Sequence, residues 1–284
     1  MEINIHTLII PDIHGRTFWK DALERFPKKS FPNLSIVFLG DYLDPYETIE
    51  NISRKQAIDN FKEIIKTAKN DNRIHLLFGN HDMHYWYNAQ YKSRVDHKNY
   101  EKIKDLFLKN FTLFNVAYEE IVNNEKYLYT HAGVTTFWLE HLKFIGKISC
   151  ENNKIEYIDR LGQKRKKVSD EQLPFCEMLR DMTYNAEKLN KMKLNFQGEA
   201  NLWCVSWYRG GDSDSGSCIW ADFNEWAYEN SNDNGPWQIF GHSLAAGGFD
   251  EGIVNFDKKI AMLDSRQAWV LYNNGNLCKL SDID

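Results

Sequence analysis

The sequence predicts an α/β fold built around a parallel sheet, with polar clusters at the ends of its strands. Short apolar runs alternate with amphipathic stretches through the N-terminal half of the chain. Five polar clusters each follow or interrupt an apolar run. A β-α-β-α-β order predicts parallel strands joined by right-handed crossovers. Because the carboxyl ends of such strands face the ligand crevice, we expect the polar clusters to meet there.

The elements of the N-terminal half follow from hydrophobic spacing. Ile5–Ile10 is predicted to be a strand and Arg16–Phe26 a helix. Leu34–Leu39 is a nearly continuous apolar run, which is typical of a buried strand. Arg54–Lys69 places its apolar residues on one face at a period of 3.6, which predicts an amphipathic helix. Ile74–Phe78 then predicts the next strand.

The second half of the chain predicts a hairpin, an insertion and a set of closing strands. After a predicted helix at Glu101–Phe111, Ala117–Val122 and Lys126–Thr130 flank an Asn-Asn pair and predict an antiparallel hairpin. Residues 146–198 carry many charges and few strand signals, which indicates an insertion or cap on a single domain of residues 1–284. The basic run Lys164–Lys167 is typical of a solvated turn rather than a nucleic-acid patch. Four short apolar segments predict a closing β-meander: Gln238–Phe240, Gly252–Phe256, Ile260–Leu263 and Trp269–Tyr272.

Composition excludes several classes of protein. The 284 residues contain 35 Lys and Arg against 40 Asp and Glu, a formal net charge of −5 that excludes a strongly basic nucleic-acid binder. Nucleic acid is therefore expected only as a substrate. No run approaches the ~20 apolar residues of a membrane-spanning helix, so we expect no membrane partner. The five cysteines include no CxxC pair, which predicts reduced thiols and a cytoplasmic location.

The five polar clusters combine carboxylate, amide and imidazole groups with adjacent glycines. They are Asp12-Ile13-His14-Gly15, Gly40-Asp41-Tyr42-Leu43-Asp44, Gly79-Asn80-His81-Asp82, His131-Ala132-Gly133 and Gly241-His242-Ser243. Mixed nitrogen and oxygen donors suit Mn²⁺, Fe or Zn²⁺ better than Mg²⁺ or Ca²⁺. Six such donors exceed the ligand set of one tetrahedral zinc and suit two ions that share a carboxylate. Such a pair of ions lowers the pKa of a water that bridges them. It also binds the attacking and leaving oxygens of an in-line displacement at phosphorus.

In order and wording these clusters resemble the calcineurin-like metallophosphoesterase superfamily, whose pattern is DxH, GDxxD, GNH[DE], H and GH. The GDY-x-D, GNHD and THAG sequences are most similar to the serine/threonine phosphoprotein phosphatases and to diadenosine-tetraphosphatase-like relatives. The resemblance implies central β-sheets that form a β-sandwich core flanked by helices. It also implies a metal site at the C-terminal ends of the strands.

The resemblance further implies a role for each polar residue. Two divalent ions are expected, most simply Mn²⁺, with Fe or Zn as alternatives. The implied ligands are Asp12 and His14 for the first ion, Asp41 as the bridge, and Asn80, His131 and His242 for the second. His81 would be the general acid that protonates the leaving oxygen. Asp44 would hold the imidazole of His81 in its working orientation.

The chain departs from the phosphoprotein phosphatases at two substrate-binding positions. Pro45 and His84 stand where those enzymes have arginines that bind the phosphate. Arg209, which lies between the two late histidines, and Arg16, directly after the first cluster, are the candidate replacements. The aromatic run at residues 85–87 follows the third cluster. It suits either stacking on a nucleobase or packing of the local helix.

The resulting hypothesis is a two-metal phosphoesterase. It would hydrolyse a phosphate ester by attack of a metal-bound hydroxide, with His81 as the acid. The expected partner is a phosphorylated substrate: a protein, a nucleotide or a small molecule. Two alternatives stay open: a phosphodiesterase or nuclease that uses the same ion pair, and a non-catalytic scaffold of the same fold.

Overall fold

The computed structural model gives the arrangement of most of the chain. It describes residues 4–85, 93–139, 204–226, 235–244 and 251–283, together with the backbone of three strands at 148–151, 154–158 and 164–168. Within these ranges, no helix combines the length and the apolar character needed to cross a bilayer.

The strands are β1 (Ile5–Ile10), β2 (Ser35–Phe38), β3 (Ile74–Leu77), β4 (Phe114–Asn115), β5 (Ala117–Val122), β6 (Glu125–Thr130), β7 (Ile148–Glu151), β8 (Lys154–Ile158), β9 (Lys164–Val168), β10 (Trp237–Leu244), β11 (Ile253–Asn255), β12 (Ile260–Asp264), β13 (Trp269–Tyr272) and β14 (Leu277–Lys279). The helices are α1 (Phe18–Arg25), α2 (Glu47–Glu50), α3 (Arg54–Asn70), α4 (Asn80–Met83), α5 (Tyr100–Lys109) and α6 (Phe223–Trp226).

The first sheet has the strand order β14-β13-β1-β2-β3-β4. The strands β1, β2, β3 and β4 are parallel, and β13 pairs antiparallel with β1. Helix α3 begins at a capping box in which Ser53 and Gln56 satisfy each other's backbone N–H groups. Its apolar face, with Ile58 and Phe61, joins α1 and α5 in covering one side of this sheet. The predicted parallel sheet with helical crossovers is confirmed.

The second sheet has the order β11-β12-β10-β6-β5 and packs face to face with the first. Side chains from β1 and β2, including Ile9 and Val37, form one apolar cluster with Tyr129 and Ile239 of the second sheet. On its outer face, the ring of Trp226 in α6 stacks on Phe240 with centroids 4.9 Å apart. The α/β fold with a β-sandwich core flanked by helices is therefore confirmed.

Two predictions about the second half of the chain are wrong. The closing segments do not form a meander, because β10 lies parallel to both β6 and β12 while β13 joins the other sheet. Apolar runs identify strands, but tertiary packing decides which sheet each strand joins. The basic run Lys164–Lys167 is also not a turn, since it lies in β9 and pairs with β8. The strands β7, β8 and β9 form an antiparallel sheet inside the proposed insertion, whose residues 169–198 lie outside the described part.

Candidate metal centre

The polar clusters meet at one edge of the sandwich. Asp12 and Asp41 follow β1 and β2, and Asn80 begins the short helix after β3. His131 follows β6, and His242 lies in β10 of the second sheet. Ligand atoms of Asp12, Asp41 and His131 all lie within 4.8 Å of one another. The ends of strands from both sheets thus place these side chains around one point.

Asp41 lies at the centre of this group. Its Oδ2 is 3.5 Å from Nε2 of His14 and 3.6 Å from Nε2 of His131. The carboxylate is buried, with 2% of the residue exposed. One carboxylate oxygen therefore lies near two imidazoles, a placement that suits a ligand shared by two ions.

The tautomers of these imidazoles can be assigned from their other nitrogens. Nδ1 of His14 is 2.9 Å from the carbonyl of Leu43, and Nδ1 of His131 is 2.8 Å from the carbonyl of Leu39. A carbonyl only accepts hydrogen bonds, so each Nδ1 carries the hydrogen and each Nε2 of a neutral ring presents a lone pair. Nitrogen atoms with lone pairs this close to a carboxylate oxygen repel it unless cations lie between them. The same backbone contact is what orients histidine ligands in metal sites.

A second group of acceptors surrounds Asn80. Nε2 of His131 is 2.9 Å and Nδ1 of His242 is 3.0 Å from Oδ1 of Asn80, and the two nitrogens are 3.1 Å apart. The remaining nitrogen of His242, Nε2, is buried and has no hydrogen-bond partner among the described residues. Converging nitrogen and oxygen acceptors with so few hydrogens among them fit a cation. The residues present therefore fit the two divalent ions that the motifs imply.

The electrostatics of the group point the same way. Burial lowers the pKa of His14 to about 3, and burial also lowers the pKa values of His131 and His242, so these rings are neutral at pH 7. Burial raises the pKa of Asp12, and the nearby charge of Asp41 raises it further. Neutral imidazoles leave the burial of these carboxylates and the repulsion between Asp12 and Asp41 uncompensated, and bound cations would compensate both.

The backbone is strained where it carries these side chains. Four residues of the clusters have left-handed φ angles: His14 at 43°, Asp41 at 53°, Asp44 at 55° and His242 at 68°. A non-glycine residue in this region costs about 1–3 kcal/mol, and such strain concentrates at functional sites. The surrounding fold thus holds these residues in positions that their local preferences disfavour.

Two motif glycines allow the carboxylates to approach the neighbouring strand ends. A Cβ atom on Gly79 would lie 2.0 Å from Oδ1 of Asp41, and one on Gly241 would lie 2.0 Å from Oδ1 of Asp12. The backbone N–H of His242 also donates to both carboxylate oxygens of Asp12, at 3.2 and 3.1 Å. A side chain at either glycine would therefore displace a candidate metal ligand that comes from a different motif.

Asp82 joins two of the strand ends. Its carboxylate accepts the backbone N–H groups of Asp41 and Gly79 on Oδ2, at 2.7 and 2.9 Å, and that of Tyr42 on Oδ1, at 3.0 Å. The residue has no exposed surface. Sequence reasoning quoted Asp82 as part of the third cluster but gave it no role, and its position beside His81 was the available signal.

The predicted acid and its partner are also in contact. Nδ1 of His81 lies 2.9 Å from Oδ2 of Asp44, and both residues are buried. The backbone N–H of His81 donates to Oδ1 of Asp41 at 2.9 Å, which fixes His81 beside the central carboxylate. An imidazole whose Nδ1 is bound to a carboxylate presents Nε2 for proton transfer.

These groups open into a cavity of about 420 Å³. Its lining residues are His14, Asp41, Tyr46, Asn80, His81, Ser93, Arg94, Arg209, Trp220, His242 and Asp264. Arg209 is one of the predicted phosphate contacts, and it does line this cavity. Its Nε is 2.5 Å from Oδ2 of Asp222, and its Nη2 donates to the backbone carbonyl of His242 at 3.3 Å and to Oγ of Ser243.

Arg16, the other predicted phosphate contact, lies behind the centre. Its Nε is 2.9 Å from a carboxylate oxygen of Glu50, and its Nη1 donates to the backbone carbonyl of Asp12 at 3.1 Å. It is buried and does not line the cavity. The expected phosphate contact therefore does not fit Arg16, because its donors already bind Glu50 and the backbone under Asp12.

Sequence reasoning missed Arg94 and Tyr46. Nε of Arg94 donates to the carbonyl of Asp44 at 3.1 Å, its guanidinium carbon lies 3.8 Å from the ring centre of Tyr46, and Nη2 lies 3.4 Å from Nε2 of His81. No local pattern marks Arg94, since it reaches Asp44 across 50 residues of sequence. Tyr85 is fully buried and does not line the cavity, whereas residues 86 and 87 of the aromatic run lie outside the described part.

The chain matches a known protein family and resembles solved structures. The model of the calcineurin-like phosphoesterase family matches residues 5–244. A protein serine/threonine phosphatase from Saccharomyces cerevisiae with similarity to human phosphatase PP5 has a TM-score of 0.43 and 14% identity, over 95% of this chain and 74% of that one. A putative diadenosine tetraphosphatase has a TM-score of 0.42 and 13% identity, over 98% of this chain and 94% of that one. No curated protein sequence matches.

The family match begins at the first strand and extends through His242, so it contains all five polar clusters. It covers far more than half of the 284 residues. The chain belongs to the calcineurin-like phosphoesterase family.

Proposed function

We propose that this protein is a two-metal phosphoesterase that hydrolyses phosphate esters. The observation that carries the proposal is the arrangement around Asp41. Two histidines that donate Nδ1–H to backbone carbonyls place their Nε2 atoms, which carry lone pairs, 3.5 and 3.6 Å from the same buried carboxylate oxygen. This arrangement is unfavourable without cations and becomes a ligand set once they are bound.

The ions are assigned to this chain as follows. Asp12, His14 and Asp41 would hold one ion, and Asp41, Asn80, His131 and His242 would hold the other. The mixture of imidazole, amide and carboxylate donors favours Mn²⁺, with Fe and Zn²⁺ as alternatives. When bound, two such ions would lower the pKa of a water and would stabilise charge on the oxygens at phosphorus.

The remaining residues are assigned by what they contact. His81 donates a proton from Nε2 to the leaving oxygen, and Asp44 holds the ring by its bond to Nδ1. Arg94 and Arg209 supply positive charge at the cavity and bind phosphate oxygens. Arg16 acts indirectly, by holding the backbone of Asp12.

The proposal includes the setting in which the enzyme works. Its substrate is a phosphorylated protein, nucleotide or small molecule, and residues 1–284 act as one domain with an insertion at about 146–198.

A cytoplasmic location is supported by the thiols of Cys204, Cys218 and Cys278, which are free in the described part of the chain. Burial raises the pKa values of Cys204 and Cys218, so their thiols stay protonated.

A metal-dependent assay tests the proposal. The chelator-treated protein is assayed with and without Mn²⁺ on p-nitrophenyl phosphate, bis-p-nitrophenyl phosphate and a dinucleoside polyphosphate. We expect hydrolysis only with Mn²⁺, and we expect Asp41→Asn to lose it. Asp21→Asn, the same substitution at an exposed position on α1, should keep it.

Each other outcome has a defined meaning. Two bound ions with no hydrolysis of any ester would contradict the enzyme and support the non-catalytic scaffold. Faster turnover of the diester than of the monoester would replace the phosphatase with the phosphodiesterase or nuclease alternative. Equal activity with and without metal in the chelated protein would contradict the role given to the polar clusters.

A further inference from the structure

The carboxylate of Asp44 contacts three side chains, of which the proposed chemistry uses only His81. Nδ1 of His81 and Nε2 of His84 lie 2.9 and 2.8 Å from the same oxygen, Oδ2. The hydroxyl of Tyr85 donates to the other oxygen, Oδ1. Asp44 is 3% exposed, so water competes little for these contacts.

The direction of the Tyr85 hydrogen bond is fixed by its other partner. The backbone N–H of Asp96 donates to the Tyr85 hydroxyl oxygen at 2.9 Å. Because that N–H can only donate, the single phenolic hydrogen is free to go to Asp44. The phenol therefore pins Oδ1 of Asp44, and Tyr85 is itself held from the far side.

His84 contacts the oxygen that His81 uses. Its Nε2 lies 2.8 Å from Oδ2 of Asp44 but is not aligned with that oxygen, so the two groups make a bent polar contact rather than a full hydrogen bond. The His84 ring lies edge-on to His81, with centroids 5.5 Å apart, and its backbone carbonyl accepts the hydroxyl of Tyr100 at 3.0 Å. Burial raises the pKa of Asp44, but the contacts with His81 and His84 outweigh burial and lower it.

Neither His84 nor Tyr85 reaches the substrate space. Both are buried, at 1% and 0% exposed, and neither lines the cavity. Any effect they have on the reaction must therefore pass through Asp44. A carboxylate on a single neighbour is free to rotate, because the terminal torsion of an aspartate is broad.

We infer that Tyr85 and His84 are positioning residues that fix the Asp44 carboxylate, so that His81 is held with Nε2 toward the leaving oxygen. Tyr85 fixes Oδ1, and His84 fixes the side of Oδ2 that His81 leaves open. The inference rests on the proposed phosphoesterase function. It adds two residues to the acid machinery that do not line the cavity.

The test compares leaving groups. Proton donation by His81 matters most when the leaving oxygen is strongly basic, as in n-propyl phosphate, and least for p-nitrophenyl phosphate. Tyr85→Phe removes only the hydroxyl that binds Asp44. We expect its kcat on n-propyl phosphate to fall on the order of 10-fold, part of the ~10²–10⁴-fold that a general acid supplies. Its kcat on p-nitrophenyl phosphate should stay within about twofold of wild type, and KM and Mn²⁺ content should be unchanged.

Tyr129→Phe is the matched control. It also removes a buried phenolic hydroxyl that donates to a carboxylate, but that carboxylate belongs to Glu120, and neither residue lines the cavity. Both esters should be turned over at wild-type rates. At position 84, His84→Leu should reproduce the selective loss on n-propyl phosphate, and His84→Gln, whose amide N–H reaches the position of Nε2, should recover most of it.

The outcomes separate this inference from the proposed function. If wild type hydrolyses neither these monoesters nor the diester and the dinucleoside polyphosphate, the proposed function and this inference both fail. If wild type is active but Tyr85→Phe and His84→Leu change nothing, or lose activity equally on both esters, only the inference is overturned. Should Tyr85→Phe unfold, as judged by its thermal midpoint, the comparison of His84→Leu with His84→Gln decides the matter.

Discussion

The floor and the rim of the cavity are built by different means. The floor consists of the six candidate metal ligands Asp12, His14, Asp41, Asn80, His131 and His242, and the rim consists of Tyr46, Arg94 and Arg209. Floor residues sit at strand ends and are held by backbone groups, such as the Leu39 carbonyl that binds His131. Rim residues come from segments between the strands and are held largely by other side chains, such as Asp222 for Arg209.

This difference indicates which part of the site tolerates change. The two sheets hold the floor residues in place. Three of these residues have left-handed φ angles, and a Cβ atom on Gly79 or Gly241 would clash with Asp41 or Asp12. The rim depends on single ion pairs and ring contacts that another side chain can replace. We therefore expect changes in the floor to abolish the chemistry and changes in the rim to alter how well a given ester binds.

The largest effect is expected from a methyl group in the floor. In Gly241→Ala the new Cβ would lie 2.0 Å from Oδ1 of Asp12, so that carboxylate must move. A displacement of about 1 Å at a reacting centre costs on the order of 10²-fold in rate, and loss of an ion costs more. We expect kcat/KM on p-nitrophenyl phosphate to fall at least about 10²-fold, together with the metal content. Gly275→Ala, in the turn between β13 and β14, is the control: its φ of 88° disfavours alanine, but its Cβ would meet only the Tyr127 hydroxyl, at 3.2 Å, and the residue does not line the cavity. Equal losses of activity in both variants would contradict the account.

The acid at the boundary of floor and rim should show a large effect without loss of metal. His81→Gln removes the proton donor that faces the leaving oxygen and leaves every floor ligand in place. We expect kcat on an alkyl phosphate to fall by ~10²–10⁴-fold, with Mn²⁺ content unchanged. Full activity in a metal-loaded His81→Gln protein would show that another group donates the proton.

A rim arginine should give a smaller effect. Arg94→Gln removes the cation that lies over Tyr46 and beside His81. Loss of a hydrogen bond to a charged group costs about 1.5–3 kcal/mol, or roughly 10- to 100-fold in kcat/KM. The metal content should not change. Arg25→Gln, which alters contacts with the carbonyls of Leu280 and Ile283 far from the cavity, should keep full activity. A drop in bound Mn²⁺ in Arg94→Gln would blur the distinction between rim and floor.

A histidine outside both regions provides the smallest effect and a reference for pH. His75 lies in β3 and stacks on Tyr118 at 3.9 Å, and burial lowers its pKa to about 4. In the unfolded chain the pKa of this histidine is about 6.5. Between pH 6.5 and 4 the unfolded state therefore binds more protons than the folded state, and the free energy of unfolding falls as the pH falls. His75→Phe should reduce this loss between pH 7 and 5 by on the order of 1 kcal/mol in urea unfolding. An unchanged slope would show that His75 is not the group responsible.

The floor was open to prediction from the sequence, and the rim was not. Each floor residue follows or interrupts an apolar run and has a glycine beside it or close by, so the order of parallel strands was enough to place Asp12, Asp41 and Asn80 together. Arg94 carries no such signal, because its position depends on a segment that returns to Asp44 from 50 residues away. Arg16 shows the converse: it adjoins a motif, yet Glu50 holds it behind the centre.

The same contrast applies to the fold. Hydrophobic spacing located the long helix α3 and the strands of both sheets except β4 and β14, which are only two and three residues long. It did not locate β9, because a run of basic residues gives no apolar signal although its backbone pairs with β8. It also did not assign β13 to the first sheet, since an apolar run does not record which neighbour it pairs with.

Metal content tests the central claim most directly. After loading with Mn²⁺ and removal of free metal by gel filtration, elemental analysis gives the number of ions per chain. The account predicts two ions in wild type and one or none in Asp41→Asn, because Asp41 faces both imidazoles. Less than one ion per wild-type chain would contradict it.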